Sequence, residues 1–314
     1  SRYYSLYLFS KMMINLQTYL NWVEDKINNS TLENFTLDIN ESKVKMFVKR
    51  DDLIHETISG NKLRKLKYNV VAAFEQNCTR LVTFGGAFSN HLLATAFLCV
   101  EFQIPLTLMV RGEELNQFSN KILSYCHQQG IQLTFLTRDN YKTIKRKTGV
   151  HYLGTEKCWF IPEGGANSEG VKGTEEIIDG ITKFDIYVVA QGTTTTSIGI
   201  YNKMSNDSTL YVIPALKNFQ SKDEMISISP SSDYRKKLIS LNYNEMGRYG
   251  KKTSALSDFE KKIKNQIHFE LDPIYTLKAL YAFCKYTSTN HSERLSEKKI
   301  LFVHTGGLNQ NWWE

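Results

Sequence analysis

Apolar and polar positions fall into blocks whose period changes along the middle of the chain. Leu81-Val82-Thr83-Phe84 is a short apolar run closed by Gly85-Gly86, the pattern of a buried strand. From Asn90 to Phe102 the apolar residues Leu92, Leu93, Ala96, Phe97 and Val100 recur at helical spacing. Leu106 to Val110 then reads as a strand, Ser119 to Gln129 as a helix stopped by Gly130, and Ile131 to Leu136 as a strand. This β-α-β-α-β succession predicts an α/β fold with a parallel sheet and right-handed crossovers. The pattern resumes with a strand at Trp159 to Pro162 and a helix near Val171 to Asp179. Further strands are expected at Tyr187 to Ala190, Leu210 to Pro214 and Lys299 to Val303, while the serine-rich stretch Gln220 to Ser240 reads as a surface excursion. Several of these strands end in glycine-containing turns. In open α/β sheets ligands bind beyond the carboxyl ends of strands, so the turns are expected to converge on one site.

Composition narrows the class. A length of 314 residues fits two domains, and a hydrophobic content of 41% supports a sizeable core. Five cysteines (Cys78, Cys99, Cys126, Cys158 and Cys284) form no C-x-x-C pair. That argues against a disulfide framework or a zinc site and suits a reducing compartment, so a cytoplasmic location is expected. No stretch approaches the roughly 20 apolar residues of a membrane helix. The aromatic segment Ser1 to Leu16 is interrupted by Arg2 and Lys11 and has no small-residue cleavage site. It reads as a domain-edge segment, or as foreign to the natural chain before Met12 or Met13. The net charge of +7 comes from scattered basic runs such as Lys145-Arg146-Lys147. Without interleaved aromatic platforms these point away from a nucleic-acid partner, while they favour anionic small molecules such as phosphates and carboxylates.

The candidate chemistry begins at Gly60-Asn61-Lys62, a short distance before the loop Gly85-Gly86-Ala87-Phe88-Ser89-Asn90-His91. A lysine that forms a Schiff base must be held rigidly against its carbonyl partner and be partly desolvated. Gly192-Thr193-Thr194-Thr195-Thr196 follows a strand and opens a helix, where backbone N–H groups favour a phosphate; a plain polar turn is the alternative. Ser89-Asn90 also reads as the N-cap of the next helix. Arg64, Lys65 and Lys67 read as the exposed face of the helix after Lys62.

Six segments occur in one order: Lys62 with its flanks, Ser89-Asn90-His91, Glu163-Gly164-Gly165-Ala166-Asn167, Gly192 to Thr196, Asp272-Pro273-Ile274-Tyr275-Thr276 and His304-Thr305-Gly306-Gly307. From about Phe47 to Leu308 this order resembles the pyridoxal-phosphate enzymes of the 1-aminocyclopropane-1-carboxylate deaminase and D-cysteine desulfhydrase family. The resemblance implies the two-domain, tryptophan-synthase-β-like architecture (fold type II). Residues 1–65 and 163–314 would form the larger domain, 66–162 a smaller inserted one, and the protein would be a homodimer. It implies pyridoxal 5'-phosphate as cofactor and a small amino acid as substrate. Lys62 would carry the cofactor, Gly192, Thr193, Thr194, Thr195 and Thr196 would hold its phosphate, Asn90 its ring hydroxyl and Thr305 its ring nitrogen. Ser89, Asn90 and His91 would face the substrate carboxylate, with Ser89, Tyr275 and Tyr249 as catalytic groups.

Three departures qualify the resemblance. Thr194 and Thr195 stand where the family usually has glycine, and a β-branched residue does not easily adopt φ > 0. Leu277 stands at a place that is commonly glycine and is expected to narrow the pocket. Thr276 and Thr305 replace the glutamate and leucine typical of the deaminase branch. The expected activity is therefore D-cysteine desulfhydrase-like α,β-elimination giving ammonia and a 2-oxo acid. The alternatives are aminocyclopropane carboxylate deamination and an inactive homologue that binds pyridoxal phosphate or an amino acid.

Overall fold

The computed structural model describes residues 15–39, 42–58, 60–215, 221–230, 232–233, 235–290 and 295–312. The expectation for Ser1 to Leu16 lies outside the described residues, apart from Asn15 and Leu16. The chain opens with helix α1 (Leu16–Ile27), strands β1 (Leu32–Ile39) and β2 (Ser42–Arg50), and helix α2 (Asn61–Glu75). Strands β3 (Arg80–Gly86), β4 (Leu106–Arg111) and β5 (Gln132–Leu136) follow, separated by helices α3 (Asn90–Glu101) and α4 (Lys121–Gln128). Helix α5 (Arg138–Ile144) leads to strands β6 (Gly149–Leu153) and β7 (Glu156–Ile161). Then come α6 (Ser168–Glu175), β8 (Ile186–Gln191), α7 (Thr195–Lys203), β9 (Thr209–Pro214) and α8 (Ser221–Ile228). The last elements are β10 (Lys237–Ser240), α9 (Ser254–Ile263), α10 (Thr276–Thr289) and β11 (Ile300–His304).

Two mostly parallel sheets result. One has the order β1-β2-β11-β8-β9-β10, the other β5-β4-β3-β7-β6. Every residue of β8, β9 and β11 is buried, as expected of parallel strands covered by helices on both faces. Only the pairs β1–β2 and β6–β7 are antiparallel among the described strands, and β1 alternates buried and exposed positions. Of four apolar clusters among the described residues, the two largest are distinct. Leu63, Leu66 and Val70 of α2 pack with Leu92, Leu108 and Ile161, and Tyr19 and Val23 of α1 join this core. Val48, Val188, Leu280 and Phe302 belong to the other.

Two local expectations need correction. Within Gln220 to Ser240, Ser221 and Met225 are buried in α8, and β10 pairs in parallel with β9 from Lys237↔Thr209 to Ser240↔Val212. Gln220 and positions 231 and 234 lie outside the described residues. The second correction concerns α2, which has no exposed basic face: Arg64, Lys65 and Lys67 are 1%, 1% and 4% exposed. Arg64 donates to both oxygens of Asp51 at 2.8 and 2.9 Å, and Lys67 reaches Glu24 and Glu176. The partners sit far away in sequence, on α1, after β2 and after α6. Gly173 of α6 lets that helix approach closely, since a Cβ there would stand 1.9 Å from the Arg64 carbonyl oxygen.

Candidate active site

A cavity of about 400 Å³ opens where the turns after β3, β4, β7, β8, β9 and β11 meet. This is the convergence at carboxyl strand ends that the turn pattern predicted. Lys62, Ser89, Asn90, His91, Gly192, Thr193, Thr196, Tyr249, Tyr275 and Thr305 all line it. Thr194 and Thr195 do not; both are fully buried behind the cavity wall.

The backbone before Lys62 is fixed by glycine. Gly60 has φ 64 and ψ −140, and a Cβ there would stand 1.9 Å from the Thr305 carbonyl oxygen. The Asn61 amide donates to that same oxygen at 3.3 Å. The first turn of α2 is thus pinned to the loop after β11, and Lys62 and Lys65 project from successive turns into one cavity. Burial lowers the Lys62 amine to about 8, with Asp272 opposing the shift. Lys65 is pushed well below its ordinary value, first by burial and then by the neighbouring Lys62 charge. Its Nζ stands 3.3 Å from Thr193 Oγ1, which accepts from it.

Thr193 belongs to the turn that enters α7, where unpaired N–H groups and the helix dipole attract an anion. The residue at the N-cap, Thr194, has φ −75 and ψ −6, an ordinary right-handed conformation. The strain expected from the missing glycines therefore does not arise, because the turn needs no positive φ at Thr194. Thr195 starts the helix itself. Thr196 Oγ1 accepts from Asn61 Nδ2 at 2.7 Å, which leaves its own proton free to donate. Gly164 follows β7 with φ 68, and a Cβ there would stand 2.6 Å from Thr193 Cγ2.

On the opposite wall Ser89 caps α3. Its Oγ accepts from the His91 and Leu92 amides at 3.2 and 3.3 Å and keeps a proton to donate. Asn90 Oδ1 is buried without a partner. Thr83 donates its hydroxyl proton to the Ile161 carbonyl, so His91 Nε2, 2.8 Å from Thr83 Oγ1, must be the donor in that contact. Burial and the two lysines hold His91 well below its usual pKa, leaving Nδ1 a bare acceptor. A carboxylate needs donors, which Ser89 and Asn90 offer and His91 in this state does not.

Tyr275 and Tyr249 form a pair with hydroxyl oxygens 2.8 Å apart. Burial, then Tyr249, raises the Tyr275 phenol well above its ordinary value, while Tyr249 is half exposed at the cavity mouth. The turn before Tyr275 is held by Asp272, whose carboxylate accepts from the Ile274, Tyr275 and Thr276 amides, each at 2.9 Å. Leu277 does not narrow the cavity. It is buried in the core with Leu280 and Phe283 and does not line the cavity.

Sequence reasoning missed Lys65, Arg111, Lys145 and Glu163, all of which line the cavity. Arg111 ends β4, and Glu163 follows β7 as part of a quoted motif, so the strand-end rule alone points to both. Glu163 accepts from Tyr141 Oη at 2.7 Å and from Lys145 Nζ at 2.6 Å.

No family model matches the chain. Among curated proteins it is 31% identical over 287 residues to a Thermotoga maritima protein whose provisional name is 1-aminocyclopropane-1-carboxylate deaminase, covering 84% of this chain and 88% of that one. It is 27% identical over 302 residues to the mitochondrial bifunctional D-cysteine desulfhydrase/1-aminocyclopropane-1-carboxylate deaminase of Arabidopsis thaliana, covering 84% and 72%. Among solved structures, an ACC deaminase homologue superposes with a TM-score of 0.70 at 23% identity, covering 91% of each chain. A hydrogen sulfide-producing enzyme of Fusobacterium nucleatum gives a TM-score of 0.62 at 13% identity over 90% of this chain and 97% of that one. These two likenesses establish the fold.

Proposed function

The chain belongs to the family of 1-aminocyclopropane-1-carboxylate deaminases and D-cysteine desulfhydrases, and we propose that it is a pyridoxal-phosphate-dependent lyase acting on a small amino acid with a leaving group on Cβ. The observation that carries this reading is the Lys62 amine in the cavity wall, its pKa lowered to about 8, with the α7 N-terminus and Lys65 in the same cavity.

The residues present fit the cofactor. Lys62 would hold its carbonyl carbon. Thr193, Thr196, Lys65 and the amides entering α7 suit a phosphate. The unpartnered Asn90 Oδ1 suits the ring hydroxyl, and Thr305 the ring nitrogen. When bound, pyridoxal phosphate supplies an electron sink for the pair left at Cα.

The chain's own groups divide the remaining work. Ser89 and Asn90 bind the substrate carboxylate and fix the orientation of Cα. The Lys62 amine, whose lowered pKa leaves more of it neutral and able to accept a proton, removes the Cα proton. Tyr275, whose hydroxyl pairs with that of Tyr249, delivers a proton to the departing group. Thr276 is fully buried and hydrogen-bonds Asp272, so it is not available to the ring nitrogen. Glu163, the one carboxylate among the described lining residues, is engaged by Tyr141 and Lys145. A neutral hydroxyl at the ring nitrogen favours expulsion of a good leaving group over cyclopropane opening.

The experiment is a pair of assays on purified, cofactor-loaded protein. Sulfide and pyruvate are expected from D-cysteine, with 2-oxobutanoate from aminocyclopropane carboxylate at least tenfold slower. Faster 2-oxobutanoate release refutes the branch, and silence with both substrates in a loaded protein favours a binding homologue. We include a homodimer and a cytoplasmic location in this proposal. Light scattering tests the first. The five cysteines, all free and buried, suit the second. No described helix is long and apolar enough to cross a membrane.

A further inference from the structure

The cavity holds one more basic side chain than the assigned chemistry uses. Four described basic residues line it, Lys62, Lys65, Arg111 and Lys145. Lys145 is neutralised by Glu163 at 2.6 Å. Lys62 is assigned to the cofactor, and Lys65 stands at Thr193 on the phosphate side. Arg111 has no such assignment.

Arg111 is the one residue of β4 that is exposed, at the open side of the cavity. Arg111 ends β4 in register with Gly86 of β3. Its Nη2 stands 3.4 Å from the position of a Cβ on Gly86, an ordinary contact distance. The guanidinium lies 5.8 Å from the centroid of the Tyr141 ring, within cation–π range. Tyr141 is itself anchored by Glu163, so the ring is a fixed platform. Among the described residues no carboxylate pairs with Arg111, although it borders a cavity and could have been neutralised as Lys145 is. A planar guanidinium with forked donors is suited to a carboxylate, phosphate or sulfonate. It sits on the strand next to β3, whose following loop carries Ser89 and Asn90, and all three residues border the same cavity.

We propose that Arg111 is a specificity-determining residue that receives a second anionic group, carried on Cβ of the substrate. This rests on the lyase reading above and narrows it to β-substituted amino acids with an acidic substituent. The step balances without an oxidant. Lys62 takes the proton from Cα, the freed pair forms the Cα–Cβ double bond, and the Cβ–X bond breaks with its pair leaving on X, as phosphate from a phosphate ester. The released 2-aminoacrylic acid tautomerises and takes up one water to give ammonia and pyruvate.

The test compares O-phosphoserine with β-chloroalanine, both enantiomers of each, on loaded wild-type protein and on Arg111→Gln and Arg111→Lys. Wild-type kcat/KM is expected to favour O-phosphoserine. Arg111→Gln should lose about ten- to a hundredfold on O-phosphoserine, mostly in KM, the loss expected for one charge-assisted contact. It should change β-chloroalanine turnover less than threefold, and Arg111→Lys should recover part of the loss. Equal losses on both substrates would assign Arg111 to the α-carboxylate and overturn the proposal, as would no loss on either. Calorimetric titration of the cofactor-free protein with O-phosphoserine and with serine supplies an arm independent of turnover. Tighter O-phosphoserine binding that disappears in Arg111→Gln supports the proposal even if no cofactor is taken up. Binding that Arg111→Gln leaves unchanged overturns it, while the visible spectrum of the same samples reports separately on the lyase reading.

Discussion

A lysine amine moved from water into a protein wall loses the hydration of its charged form, and its pKa falls. Lys62 is lowered from 10.5 to about 8 in this way. The unfolded chain therefore binds more protons than the folded one between about pH 8 and 10.5, and the Lys62 contribution makes stability rise with pH across that window. Below pH 8 the full destabilisation is present. Cofactor-free Lys62→Met should accordingly melt above the wild type at pH 7, with the gap shrinking as pH approaches 10; a gap that widens with pH contradicts the assignment. The same shift means that covalent cofactor attachment should accelerate as pH rises through about 8. Thr196→Val removes a hydroxyl whose proton is free to donate and should weaken cofactor binding about ten- to a hundredfold, the effect of a contact worth roughly 1.5–3 kcal/mol. An unchanged dissociation constant would remove that hydroxyl from the site. Tyr275→Phe should lower kcat about 10²- to 10⁴-fold with little change in cofactor affinity. Residues such as Lys62 were legible because glycine and asparagine flank them in a recognisable order. Lys65 was not, since its burial depends on packing of α2 against distant segments.

At the scale of elements, the corner that presents Lys62 depends on a backbone only glycine adopts without strain. Gly60→Ala would place a side chain at φ 64 against the Thr305 carbonyl oxygen. Backbone strain alone costs about 1–3 kcal/mol, and relief of the overlap would displace the loop after β11. Loss of bound cofactor together with a lower Tm is the expected result, and a variant with wild-type Tm and full loading would refute the pinning. Thr194→Gly supplies the opposite case. Because Thr194 is in an ordinary helical conformation, restoring a glycine should leave cofactor affinity within about threefold of wild type. A marked gain in affinity would revive the idea of a strained loop. The buried strands β8, β9 and β11 were legible as apolar runs, while β10 was hidden. It is four residues long, partly exposed at a sheet edge, and gains its partners only from β9. The entry into α7 was legible as a position, but its conformation was not, because composition does not state which residues of a turn need positive φ.

At the scale of the molecule, the site is assembled from segments that no stretch of sequence joins: β3, β4 and β7 come from one sheet, β8, β9 and β11 from the other. We propose that residues 66–162 form a smaller domain inserted into a larger one made of 1–65 and 163–314. Helix α1 packs on the inserted part through Tyr19, whose hydroxyl lies 3.5 and 3.3 Å from the carbonyls of Leu66 and Lys67. Hydrogen exchange of the native protein should show the strands of the inserted part opening with a free energy different from that of the strands outside it, and one common value for both sheets would contradict the division. The order of motifs made this architecture legible, since strand-end turns far apart in sequence can meet only if the sheets face one cavity. The central claim is that this cavity holds pyridoxal phosphate on Lys62. The direct measurement is borohydride reduction of the cofactor-loaded native protein, followed by intact mass and peptide mapping. The expected result is a single pyridoxyl-phosphate addition per chain, located on Lys62. A label on Lys65 or any other lysine, or a protein that takes up no label after incubation with the cofactor, would contradict it.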